Sequence, residues 1–275
     1  MIHWFFKKTK SRVEIAREAF KKRDKKLHKL AHSEKYIKEE PHKIEQGKYI
    51  GPAVYGASDG IVTTFAVVAG VAGANLDPKI VLILGFANLF ADGFSMAVGD
   101  YLSSKSEKDY INSERARELW EVEHFPDAER KEVEEIYKRK GVKGEKLKLL
   151  VDIITSDKEL WVDTMMKEEL NLLGDDEVSP IKSALVTFFS FVIAGFTPLI
   201  AYVFSNFVPF FQTYKFLAAS IITGATLFTV GGLRQLITDV KWYIGGLEML
   251  LVGGASASVA FLIGFILRTV FGIVI

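Results

Sequence analysis

The 275-residue chain contains no cysteine, and this absence removes several kinds of functional site at once. Disulfide bonds, thiolate metal sites and cysteine nucleophiles are all excluded. The sequence also lacks a glycine-rich loop ending in Lys-Ser or Lys-Thr, the motif that binds nucleotide phosphates, so ATP is not expected to drive the protein. No catalytic triad or zinc-hydrolase motif is present. We therefore expect no enzyme activity and no nucleotide or nucleic-acid partner.

Net charge is also nearly absent, at +1, but the charges are unevenly distributed along the chain. Residues 1–50 contain 15 Lys and Arg against 7 Asp and Glu, a net charge of +8. Residues 103–180 contain 14 Lys and Arg against 21 Asp and Glu, a net charge of −7. The sequence therefore predicts two polar regions of opposite charge and a nearly neutral apolar part.

Five apolar runs each have the length that a helix needs to cross a bilayer, about 20 residues. They cover residues 50–74, 80–102, 181–207, 215–236 and 243–275. We predict an all-α protein with membrane helices 1–2 within residues 49–102 and membrane helices 3–5 within residues 180–275. Residues 103–179 form a polar insertion between helices 2 and 3. Pro198 is expected to kink the third membrane helix.

The first two apolar runs carry carboxylates, which cost at least ~2.5 kcal/mol each to place in a membrane helix. Asp59 is the single charge of the first run. In the second run Asn88, Asp92, Met96 and Asp100 recur every four residues and so share one helix face. Carboxylate oxygen and thioether sulfur together suit a divalent transition metal better than magnesium or calcium. The alternative is that Met96 faces lipid and Asp59 caps a broken helix.

The polar insertion is predicted to begin inside a long helix, because no glycine or proline follows Tyr101 until Pro126. Two Glu-x-x-Glu pairs lie on either side of the turn at 125–127, and within each pair the two side chains share a helix face. The pairs are Glu118 with Glu121 and Glu129 with Glu132. A later helix, near residues 158–173, carries Met165, Met166 and Glu169. The alternative is an ordinary charged surface.

Residues 1–48 are predicted to form a basic amphipathic helix that ends at Glu40-Pro41. Such a helix often lies on the anionic cytoplasmic leaflet of a membrane. The alternative is a solvated helix that only enforces topology. His28 and His32 have the i, i+4 spacing of a ligand pair, but no carboxylate cluster accompanies them.

Two linked motifs carry a resemblance to a known family. The segments SDGIVTTFAVVAGVAGA and GFANLFADGFSMAVGDYLSSKSEKDY resemble the signature of the vacuolar iron transporter family. The resemblance extends from about residue 47 to the C-terminus. It implies a dimeric, proton-coupled transporter of ferrous iron with five membrane helices per chain. It also implies that the insertion is a cytoplasmic three-helix metal-binding domain.

The resemblance assigns roles to particular residues. Asp59 and Met96 match the family's metal ligands inside the membrane. The ligands of the metal-binding domain match Glu118, Glu121, Glu129, Glu132, Met165, Met166 and Glu169. One position departs from the family: Asn88 stands where a glutamate is frequent, and Asp92 follows one turn later. Either the carboxylate has moved along the helix face or the proton step differs.

Proton coupling has three further candidates, Asp92, Asp100 and Glu248. Glu248 lies near the start of the fifth membrane helix, where pairing with Lys241 or Arg234 is the alternative. A homodimer is expected because one Asp59/Met96 pair is an incomplete coordination shell, and closed twofold dimers are the commonest assembly. Gly56 and Gly60 permit close helix approach, so the first helix is expected to line the dimer axis.

The predicted function is a proton-coupled antiporter that moves Fe²⁺ out of the cytoplasm, with Mn²⁺, Co²⁺ and Zn²⁺ as further candidate ions. The alternative is a membrane-anchored metal sensor or iron store without transport. The basic N-terminus and the charged insertion lie on one side of the bilayer, and the positive-inside rule places both in the cytoplasm. The protein is expected to be a multi-pass membrane protein. Its location would be the plasma membrane of a prokaryote or the vacuolar membrane of a eukaryote.

Overall fold

A computed structural model describes residues 12–33, 48–172, 179–233, 235 and 241–272. The chain divides into two compact units, residues 1–48 and residues 49–275. In the first unit, helices α1 (Arg12–Lys22) and α2 (Lys25–Ala31) pack together. Asp24 caps α2, since its side chain accepts hydrogen bonds from the backbone of Lys26 and Leu27. The predicted helix end at Glu40-Pro41 lies outside the described residues.

The described residues of the second unit form helices joined by turns and short loops, with no strand among them. Its elements are α3 (Ile50–Gly73), α4 (Pro78–His124), α5 (Pro126–Arg139), α6 (Glu145–Ile154), α7 (Lys158–Glu168), α8 (Pro180–Gly195), a 3₁₀ turn (Thr197–Leu199), α9 (Ile200–Val203), α10 (Pro209–Thr213), α11 (Lys215–Leu233) and α12 (Trp242–Phe271).

Five stretches of the described chain are long and apolar enough to cross a membrane, which confirms the prediction of five membrane helices. They are α3, the first part of α4, the stretch Pro180–Val203, α11 and α12. The third stretch is broken where Pro198 enters a 3₁₀ turn, so the predicted kink is confirmed. Proline cannot donate the backbone hydrogen bond that would continue the helix.

Helix α4 is continuous from the membrane part into the polar insertion, as predicted. Asp77 accepts a hydrogen bond from the backbone of Lys79, and Pro78 occupies the first turn, where its missing N–H costs nothing. The helix ends only before Pro126. Its 47 residues span about 70 Å at 1.5 Å per residue.

Gly56 and Gly60 pack against the third membrane stretch of the same chain. A Cβ atom on Gly56 would overlap the carbonyl oxygen of Thr187, and one on Gly60 would overlap that of Phe191. Both glycines are buried within the single chain. The small face of these glycines is therefore already used for contact within the chain. It does not support the expectation that the first helix lines a dimer axis, which stays a prediction.

The polar insertion has an apolar core of its own. It contains residues from the end of α4, from α5, α6 and α7, among them Val122, Val133, Val151, Val162 and Met165. A separate apolar cluster fills the membrane part around Val68, Leu89 and Phe191. The two ends of α4 thus belong to different cores, and this one helix positions the residues of both candidate sites.

Candidate metal-binding sites

The predicted glutamates of the insertion come from three elements that meet beside its core. Glu118 and Glu121 lie in the last turns of α4, Glu129 and Glu132 in the first two turns of α5, and Glu169 follows the end of α7. The charges of all five interact electrostatically. We call these five residues the glutamate cluster.

Two members of the glutamate cluster are buried without adequate partners. Glu118 is 1% exposed and Glu129 is 6% exposed. The Oε2 atom of each carboxylate is buried and forms no hydrogen bond within the described chain. A buried polar atom left unpaired costs about 1–3 kcal/mol, so the protein must offset this cost or a ligand must remove it.

Burial and like charge act together on these two side chains. Loss of hydration, followed by the charges of Glu169, Glu121 and Glu132, raises the pKa of Glu118 to about 7, although Arg117 opposes the shift. Loss of hydration, followed by the neighbouring carboxylates, raises the pKa of Glu129 to about 7. The pKa of Glu169 is also raised, mainly by loss of hydration. A divalent cation would neutralise the carboxylates that repel one another here.

Met165 and Met166 are buried inside the insertion rather than on its surface. They are 0% and 3% exposed, and they belong to the apolar core of the insertion. Methionine sulfur can serve as a soft metal ligand and also fills apolar cores. Among the described residues, no three carboxylate or histidine side chains form a ready metal site. Metal coordination at the cluster stays a prediction.

The other glutamates of the insertion behave differently, because several are paired with lysine. Glu123 pairs with Lys158 and Glu168 pairs with Lys140. Glu135 lies 3.0 Å from the Nζ atom of Lys138. Such lysine pairs are typical of charged residues at a protein surface. Within the described chain, no lysine forms a salt bridge with the glutamate cluster.

The candidate site in the membrane part lies on α3 and α4. Asp59 is half-buried and forms no hydrogen bond or salt bridge through its side chain with any described residue. Its charge interacts with that of Asp92, on the face of α4 that also carries Met96. Met96 is half-buried and packs against the apolar cluster of the membrane part. These residues therefore lie on two neighbouring helices, α3 and α4. A single chain provides few metal ligands there.

The remaining candidates for proton coupling have distinct surroundings. Asp100 accepts a hydrogen bond of 3.2 Å from the hydroxyl of Thr187, so it links α4 to the third membrane stretch. Glu248 is exposed on α12. Asn88 has a buried side-chain nitrogen that forms no hydrogen bond in the described structure. Arg234, a proposed partner of Glu248, lies outside the described residues.

One residue that contacts the glutamate cluster was not predicted from the sequence. Arg117 contacts Glu114, Glu118 and Glu121, and so it inserts a positive charge into the glutamate cluster. The i, i+3 and i, i+4 spacing of these residues on one helix predicts such contacts, and this pattern was available in the sequence.

We expect the metal-free protein to lose stability as the pH rises from about 4.5 to about 7. Glu118 and Glu129 titrate near 7 in the folded chain and near 4.5 when unfolded, so the folded state favours their protonated forms. The stabilisation is complete below 4.5 and is lost above 7, on the order of 1–3 kcal/mol per group. Thermal unfolding of the metal-free protein in detergent would measure it. Glu118→Gln with Glu129→Gln should flatten the profile, and an unchanged profile would contradict the assignment.

The comparisons with known proteins agree with the architecture. The model of the VIT family matches residues 50–265. A protein named vacuolar iron transporter from Toxoplasma gondii is 37% identical over 270 residues, which cover 94% of this chain and 89% of that protein. One of the same name from Plasmodium falciparum is 35% identical, covering 92% of this chain and 95% of that protein. Vacuolar iron transporter 1 from Arabidopsis thaliana is 32% identical, over 78% of this chain and 84% of that protein. The chain therefore belongs to the VIT family.

Proposed function

We propose that this protein is a proton-coupled antiporter that moves Fe²⁺ out of the cytoplasm, and that it works as a homodimer. The observation that carries the proposal is the pair of buried carboxylates, Glu118 and Glu129, each with an unpartnered oxygen, in an insertion whose apolar core contains Met165 and Met166. Relatives with more than 30% identity are named vacuolar iron transporters, which supports iron as the substrate.

The proposed path has two stages. Hydrated Fe²⁺ is captured at the glutamate cluster, where several carboxylates compensate for the water ligands that the ion loses. The ion then passes to Asp59 and Met96 in the membrane part. Carboxylates must be deprotonated to coordinate a metal, so binding of Fe²⁺ and binding of protons exclude each other. This exclusion couples the movement of the metal to an opposite movement of protons.

The membrane site also supports the dimer and distinguishes transport from sensing. Asp59 supplies one carboxylate and Met96 supplies one sulfur. This is fewer ligands than a transition metal ion binds. A second copy of the pair across a twofold axis would complete the shell. A metal sensor or store would need only the glutamate cluster. An unpaired carboxylate in a membrane helix costs free energy, and transport gives a reason to retain it there.

A flux measurement tests the proposal directly. We expect Fe²⁺ to enter proteoliposomes severalfold faster when the lumen is at pH 6 and the outside at pH 7.5, for protein oriented with the insertion outside. This gradient supplies roughly 2 kcal/mol per exchanged proton. An Fe²⁺-sensitive dye in the lumen reports the flux, and a protonophore should remove the acceleration. Metal binding without any flux would favour the sensor or store.

The two methionines give a further prediction, on metal preference. Replacing Met165 and Met166 with leucine should weaken Fe²⁺ binding at the glutamate cluster about tenfold or more, yet leave Ca²⁺ binding unchanged, since only the soft metal uses thioether sulfur. Leucine conserves volume, so the core should lose less than about 1.5 kcal/mol. Calorimetry on the full-length protein measures both metals. Equal losses for both metals would mean that the methionines only pack.

A further inference from the structure

Arg117 bridges three carboxylates of helix α4. Its Nη2 atom lies 2.8 Å from Oε2 of Glu114 and 2.9 Å from Oε1 of Glu118, and its Nη1 atom lies 3.2 Å from Oε2 of Glu121. Its Nε atom also donates to Glu114, at 3.1 Å. Glu118 and Glu121 are predicted metal ligands, whereas Glu114 is not.

This guanidinium is the one cation that pairs with the glutamate cluster within the described chain. Glu129, Glu132 and Glu169 have no salt bridge to a described residue. Arg117 itself is about half exposed, at 46% of its side chain, while the side chain of Glu118 is 2% exposed. The cation therefore reaches a buried carboxylate from the solvent side and can leave toward solvent without disturbing the core.

We infer that Arg117 is a built-in counter-ion that occupies part of the glutamate cluster when no metal is bound, and that Fe²⁺ must displace it to bind. The inference rests on the proposed function of the cluster as a metal site. A divalent ion and a guanidinium compete for the same oxygens of Glu118 and Glu121, and they repel each other at short range. Glu114 lies outside the predicted ligand set, so it retains the displaced guanidinium through its two hydrogen bonds.

The displacement has a consequence for affinity and selectivity. Arginine binds carboxylates through several directed hydrogen bonds, so a monovalent metal ion with one charge gains little by replacing it. A divalent ion gains more from the same oxygens. The exchange also lowers the net affinity for Fe²⁺, which favours release of the captured ion toward the membrane site.

The test is anaerobic calorimetry with Fe²⁺ on the metal-free, full-length protein in detergent at pH 8. Arg117→Gln should bind Fe²⁺ roughly three- to tenfold more tightly than wild type, because no internal cation has to leave. Arg117→Lys should bind about two- to threefold more tightly, since a point charge cannot span three carboxylates. The lysine variant also keeps the test valid if the glutamine variant folds poorly.

Arg115→Gln is the matched control. Arg115 lies on the same helix and pairs with Glu159 and Asp163, neither of which belongs to the glutamate cluster. The Arg115→Gln substitution removes the same charge two residues away from Arg117. We expect the affinity of this variant for Fe²⁺ to stay within about twofold of wild type. Glu114→Gln should weaken Fe²⁺ binding about twofold or more, and this effect should shrink in the Arg117→Gln background.

The outcomes separate this inference from the proposed function. If wild-type protein shows no Fe²⁺ binding that depends on the glutamate cluster, the proposed function fails. If wild type binds but Arg117→Gln binds no tighter, the counter-ion role is overturned while the metal site stands. Weaker binding by Arg117→Gln would mean that Arg117 holds Glu118 in place for the metal instead of competing with it.

Discussion

Asp59→Asn is expected to abolish Fe²⁺ flux into proteoliposomes. The substitution keeps the size of the side chain but removes the negative charge and the exchangeable proton. Asp59 is the single charged residue of α3 and has no described partner to share its role. An amide cannot exchange a proton for a metal ion, so both halves of the proposed antiport are lost.

Three accompanying measurements sharpen this result. Fe²⁺ affinity at the glutamate cluster should be unchanged in Asp59→Asn, because the cluster belongs to a separate core. Met96→Ala should reduce the flux less severely, since a thioether carries no charge. Asp100→Asn is the matched control: the amide oxygen can still accept the hydrogen bond from Thr187, so we expect partial activity.

A wild-type rate in Asp59→Asn would overturn the mechanism. Asp59 would then be a structural residue, and the membrane site would have to involve Asp92 or Asp100 on α4. Flux that is lost together with metal binding at the glutamate cluster would instead indicate misfolding. Circular dichroism of each variant in detergent distinguishes this case.

Replacing the four glutamates of the two Glu-x-x-Glu pairs with glutamine should have the second large effect. The substitutions Glu118→Gln, Glu121→Gln, Glu129→Gln and Glu132→Gln remove four of the five carboxylates of the cluster. We expect at least ~100-fold weaker Fe²⁺ binding, since loss of supporting residues alone costs ~10–100-fold at metal sites. Helix content should not fall, because glutamine and glutamate have similar helix propensities.

The measurement is calorimetry on full-length protein that also carries Asp59→Asn, so that the membrane site contributes nothing. The chain offers a control with the same number of changes: Glu123→Gln, Glu134→Gln, Glu135→Gln and Glu168→Gln. These residues lie in the same insertion, and three of them pair with lysine. We expect wild-type affinity in this control. Equal losses in both variants would mean that general negative charge, not the cluster, attracts the metal.

The sequence was sufficient to predict the membrane helices and the long helix α4. Both depend on local properties, namely apolar length, the Asp77-Pro78 start and the absence of proline before Pro126. The two Glu-x-x-Glu pairs on either side of a turn, with Glu118 and Glu129 among them, were likewise visible in the sequence. Their burial was not, because it depends on how α7 covers the α4–α5 corner, and no local pattern specifies that contact.

Gly56 and Gly60 show most clearly what could not be predicted from the sequence. A pair of small residues predicts that some helix approaches closely, but it does not identify the helix. The third membrane stretch of the same chain takes this position, with Thr187 and Phe191 against the glycines. Local spacing thus predicted the kind of contact correctly but did not identify the helix that makes it.

Because α4 has no break, it fixes the rotational phase between the two candidate sites. A helix turns about 100° per residue, so the 22 positions from Met96 to Glu118 bring these side chains within about 40° of the same direction. Adding or deleting one residue in the exposed stretch between them would turn one site by about 100° relative to the other. Changes of seven residues, close to two full turns, would nearly restore the alignment. The length of this stretch is therefore constrained by angle, whatever amino acids fill it.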